Sequence, residues 1–112
     1  MKVNMYAIHD SKAGAYGQPF LLQTNGLASR SFIQAVMKQD SPFNKDPLDY
    51  TLFRIGNYDD ETSIIKTETP PEMIITAMQA IIISDKENQK IIETTKQINQ
   101  EKEDEVNNQE SE

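Results

Sequence analysis

The sequence predicts an α+β fold. One antiparallel four-stranded sheet, built in the order β-β-α-β-β-α, carries helices packed on it and a charged C-terminal extension. Three observations predict this. Strand-like runs recur at 3–9, 20–24, 50–58 and 63–68. Two longer stretches, 25–39 and 69–83, repeat apolar residues at helical spacing. From Ser84 to Glu112 the chain turns polar: 13 of 29 residues are charged and only Ile91, Ile92, Ile98 and Val106 are aliphatic.

The elements follow in order. "VNMYAIH" is a strand with Val3, Met5 and Ala7 on one face and Tyr6 and Ile8 on the other. "DSKAGAYGQP" is a loop broken by Gly14 and Gly17, and "FLLQT" returns as the second strand of a hairpin. Residues 25–39 form a helix capped by Thr24 or Asn25, with Ala28, Phe32, Ala35 and Val36 along its apolar stripe. Pro42 stops it. "YTLFRIGNY" (50–58) is the clearest strand; strict alternation puts Tyr50, Leu52, Arg54 and Tyr58 on one side. "DDET" is turn chemistry, and "SIIKTE" is the hairpin partner. Thr69, Pro70 and Glu72 form a helix start, so 69–83 is read as the second helix, with a strand over "MIITAMQAIII" as the competitor. Beyond it, a helical extension to about residue 100 gives way to a disordered tail. The domain division is therefore 1–83 for the body and 84–112 for the acidic tail.

A helix layer covers one sheet face. The other face calls for the second helix, a dimer partner or a ligand. The net charge is −7, and it is unevenly placed. Residues 1–66 hold seven Lys/Arg and seven Asp/Glu, so all of the excess lies after Lys66. There are no cysteines, which excludes disulfides and cysteine-based metal sites and fits a reducing compartment. No apolar run has the length of a signal peptide or a membrane span, so the expectation is a soluble cytoplasmic protein with no membrane partner.

Catalytic hardware is sparse. His9 is the only histidine and reads as a strand-end residue, because its neighbour Asp10 points to the opposite side. Asp59, Asp60 and Glu61 read as a solvated turn, not a cation site. No phosphate-binding loop, dinucleotide fingerprint or nucleophile elbow occurs. The reading is a non-enzyme with no cofactor and no metal. Tyr50 and Tyr58 with Arg54 between them form a candidate base-stacking platform; the preferred reading of the rings is that they complete a core or a dimer interface. Lys12, Arg30, Lys38 and Lys45 are candidate phosphate contacts. The acidic tail reads as a solubilising segment or as a nucleic-acid mimic that docks on a basic surface.

Three pieces of sequence, in order and spacing, carry a family likeness: the "YxxxDSKAxAYxxPF" opening (6–20), Pro42-Phe43, and the "DYxLFxIGxYD" run (49–59). Together they resemble the small non-structural protein of gokushovirus-type microviruses, which are single-stranded DNA bacteriophages. The resemblance implies a non-enzymatic protein of the infected bacterial cytoplasm, absent from the mature virion. It implies DNA binding in genome replication, at the switch to single-stranded DNA synthesis and packaging. It carries over no residue-level site, and the acidic tail lies outside it. The alternative is an adaptor that binds the replication initiator or the empty capsid shell with little DNA affinity.

Overall fold

The computed structural model describes residues 1–110, with side chains through residue 102. Its elements are β1 (Lys2–Asp10), β2 (Ala15–Tyr16), β3 (Phe20–Leu22), α1 (Asn25–Met37), α2 (Pro42–Lys45), β4 (Tyr50–Asp59), β5 (Ile65–Thr76) and α3 (Ala77–Glu110). The chain divides into two compact units, one of Met1–Ile82 and one beginning at Ile83.

The sheet is antiparallel and five-stranded, where the sequence suggested four. The order is β2-β1-β4-β5, and β3 also pairs with β1. Because β4 lines one edge of β1 throughout, β2 and β3 share its other edge, β2 beside His9 and Asp10 and β3 beside Asn4 to Tyr6. The added strand β2 arises inside the expected loop. The Asp10 carboxylate accepts from the backbone N–H groups of Lys12 and Ala13, and Gly14 takes a positive φ of 64° to close the reversal.

Helix α1 starts where Thr24 Oγ1 accepts from the Leu27 N–H at 3.1 Å. It buries Ala28, Phe32 and Val36 against Tyr6, Leu52 and Ile75 of the sheet. Tyr6 is fully buried, and its hydroxyl donates to Asn25 Oδ1 at 2.7 Å, which ties the first turn of α1 to the central strand. Burial pushes the Tyr6 phenol pKa up. The short α2 is capped by Ser41, and its Phe43 ring contacts those of Phe32 and Tyr50.

The second half departs most from expectation. Residues 69–76 are strand, and the helix begins at Ala77. The Thr-Pro-Pro-Glu signal of a helix start sits instead in an edge strand at a lapse in pairing. Thr67 still pairs with Gly56, and pairing resumes only at Glu72 opposite Arg54. Proline is tolerated there because no ladder donor is required. The β-branched Ile74, Ile75 and Thr76 then continue the strand. Ala77 and Ala80, at the start of α3, join the core. Thr76 caps that helix, its hydroxyl oxygen accepting from the Gln79 N–H at 3.1 Å.

In the second unit α3 is continuous to Glu110, beyond the helical limit expected at about residue 100. The rest of the expected disordered tail, 111–112, lies outside the described residues. Ile91, Ile92 and Ile98 are exposed. No helix among the described residues is long and apolar enough to cross a membrane.

Gly56 is buried, and a Cβ there would collide with the Lys66 carbonyl oxygen. Gly56→Ala is expected to destabilise the body by about 1–3 kcal/mol, the usual cost of forcing extra volume into a packed site. Chemical denaturation, comparing midpoints at equal slope, measures this.

Candidate functional site

The registers decide what faces outward. Opposite β1, Met5 pairs with Gly56 and Tyr6 with Arg54, so Ile55 is an extra residue on β4. A one-residue insertion exchanges the two faces of the strand beyond it. Tyr50, Leu52 and Arg54 therefore look towards the helix layer, whereas Tyr58 looks away from it. A second bulge, at Ile74, keeps Ile75 in the core opposite Leu52 and turns Met73 outward opposite Phe53.

The expected Tyr50–Arg54–Tyr58 face is thus divided. Tyr50 packs against the core, its ring 4.9 Å from that of Phe43. Tyr58 lines a groove of about 200 Å³ on the opposite face with Met5, Pro19, Leu21 and Ile65. Arg54 is engaged by two carboxylates of β5. Its Nε donates to Glu72 at 2.7 Å and its Nη2 lies 3.0 Å from Glu68. The Glu72 hydrogen bond, with support from Glu68, raises the guanidinium pKa further. Arg54 therefore pins both ends of the unpaired Glu68–Pro71 stretch and already has its anions.

The other candidate cations do not converge on the rings. Lys12 lies 3.2 Å from Asp49 and 3.8 Å from Asp46, and its hydrogen bond to Asp49 raises its pKa. That contact joins two of the three sequence pieces that carry the family likeness, since Ser11 N–H also donates to the Asp49 carbonyl at 2.9 Å. The "DSKA" turn and the "DY" start of β4 are one docked unit. Arg30 on α1, Lys38 at its C-terminal end and Lys45 on α2 are exposed, and they belong to the helix layer, away from the open sheet face. Asp59, Asp60 and Glu61 gather at the Met1 ammonium at 3.7, 2.7 and 3.4 Å.

What the structure does assemble is an open sheet face. On β1 it presents Val3, Met5, Ala7 and His9; on β4, Thr51, Phe53 and Tyr58; on β5, Ile65, Thr67, Met73 and Thr76. Tyr16 and Leu21 extend it across β2 and β3. Among the described residues that strand register places on this face, none is Lys, Arg, Asp or Glu, in a chain that is 26% charged. One end carries rings: His9 and Tyr16 at 4.7 Å between centroids, Tyr16 and Phe53 at 5.8 Å, and His9 and Phe53 at 6.1 Å, all edge-on. Such contacts are worth about 0.5–1.5 kcal/mol each beyond area burial. The other end is the aliphatic groove. Tyr16, Met73 and Ile65 are 46%, 57% and 59% exposed, so the patch is not covered by the body. Sequence reasoning missed the ring cluster because Tyr16 sat in an expected loop; His9 and Phe53 were each one strict alternation step from being placed with it.

The turn offers a pH test. Asp59 accepts from the Glu61 backbone N–H at 3.0 Å, and this bond, with the Met1 ammonium, holds its carboxyl below the ordinary value of 3.8. A depressed carboxyl contributes stability above its unfolded value and loses it as pH falls through the folded one. Asp59→Asn is therefore expected to flatten the loss of stability below about pH 4 in acid unfolding curves, with little change in pH dependence at neutrality.

Residues 3–80 match the model of one protein family, described as phage ORF5 protein. No match is found among curated proteins or among solved structures.

Proposed function

The chain belongs to the phage ORF5 protein family, and on that premise we propose that it is a non-enzymatic accessory protein acting through protein–protein contact at its open sheet face. In this reading it serves proteins of the phage's single-stranded DNA cycle, the replication initiator or the empty capsid shell, which meet it at that face or through an assembly that the face holds together. The resemblance to microvirus non-structural proteins supplies that setting.

The observation that carries the proposal is the uncharged open face. Protein interface centres are enriched in aromatic residues and methionine and depleted of charge, which describes Phe53, Tyr58, Tyr16, Met5 and Met73. A surface that coats DNA needs cations to neutralise phosphates. Arg54 and Lys12 are already paired with carboxylates, and Arg30, Lys38 and Lys45 lie with the helices.

A second reading has its own observation. The His9–Tyr16–Phe53 cluster presents rings on adjacent strands, the arrangement on which unpaired bases stack at about 1–3 kcal/mol per base. DNA held this way has few phosphate contacts and a shallow dependence on salt.

Purified full-length chain, tested against the purified initiator and empty capsids, separates the two. The expected result is capture that Phe53→Glu abolishes, with weak anisotropy change on labelled single-stranded DNA at low salt. Tight DNA binding that Phe53→Glu abolishes, without capture of either protein, overturns the contact reading in favour of stacking.

A further inference from the structure

We infer that the occupant of the open face is a second copy of this chain, so that the body is a face-to-face homodimer and a phage partner meets the dimer. This rests on the protein-contact reading of that face.

Charge is the first reason. Two identical faces repel when they carry net charge of one sign. This face carries none, although the chain as a whole is at −7. An acidic or basic partner finds no counter-charge on it. A second copy needs none.

Shape is the second reason. A two-fold contact is self-complementary, so what protrudes at one place must fit a hollow at another. The face has both. Tyr16 stands exposed at the ring end, and the groove of about 200 Å³ between Met5, Leu21 and Ile65 lies at the other end. Met5 and His9 are four residues apart on β1, roughly 13 Å at strand rise. Between them sits Ala7, small and only 1% exposed. A two-fold axis crossing the strands at Ala7 turns each copy end for end without exchanging its edges. Because β2 and β3 share one edge of β1, that operation lays the Tyr16 ring of one copy over the Met5–Leu21 groove of the other. Sheets packed in this way sit about 10 Å apart with their inner side chains interleaved.

Size is the third reason. At about 4.8 Å per strand and 3.3 Å per residue, β1, β4 and β5 over the length of β1, with β2 and β3 beside five of its nine residues, span roughly 500 Å² before side-chain relief is added. A standard interface buries about 800 Å² per partner.

Sedimentation equilibrium of the full chain across the micromolar range tests this. The expected mass is twice the 12.8 kDa of one chain. Met73→Glu and Ile65→Glu, each at an exposed position, are expected to weaken dimerisation at least tenfold with an unchanged circular dichroism spectrum. Lys38→Glu, on the helix layer, is expected to leave it intact. A wild-type monomer at high-micromolar concentration overturns the inference, as does a dimer that both face variants leave untouched. Capture of the initiator or capsid separates the two levels. A monomer that loses capture on Met73→Glu refutes the second copy and keeps the contact reading; a monomer whose capture is unaffected refutes both.

Discussion

Ile55, one extra residue on β4, decides which side chains of that strand meet the helices and which face outward. Up to Arg54, β4 alternates in step with β1, with Leu52 and Tyr50 inward and Phe53 outward. Past the bulge the alternation is reversed, and Tyr58 joins Met5 on the outer face. Gly56 makes the bulge feasible, since the Lys66 carbonyl occupies the space that a side chain would need. Without the insertion, Tyr58 would point inward beside Arg54.

The same irregularity segregates charge. Arg54 stays on the helix side and clamps Glu68 and Glu72 across the unpaired stretch of β5. Two prolines on an edge strand also blunt it against pairing with another sheet edge. With that edge blunted and the charges held on the helix side or on turns, the outer face is left uncharged. Its aromatic and aliphatic ends are separate in space, which is the feature that the proposed two-fold assembly uses.

Much of the fold was legible because its signals are local. The alternation of β1 and β4 and the apolar stripe of α1 located those elements to within a few residues, and of the two expected caps, Thr24 and Asn25, Thr24 is the one that caps α1. What failed depended on pairing. Thr69-Pro70-Pro71-Glu72 carries helix-start residue types, yet the ladder from β4 draws 72–76 into the sheet, and propensity yields to it. β2 is two residues long and exists only because Asp10 folds the turn back on β1. The expected Tyr50–Arg54–Tyr58 face is divided for a similar reason. Strict alternation grouped Tyr50, Arg54 and Tyr58, and a bulge is invisible to alternation. Gly56 was the one cue, since an isolated glycine in a strand marks a bulge or a close backbone approach.

The account stands on where Tyr58 points. An isotope-edited nuclear Overhauser experiment on the full chain reads this directly. The account predicts cross-peaks from the Tyr58 ring to the Met5 methyl group and to Ile65, and none to the Arg54 side chain. Cross-peaks from Tyr58 to Arg54, with those to Met5 missing, would contradict it, because the bulge would then not sort the faces and the outer surface would not be the uncharged one.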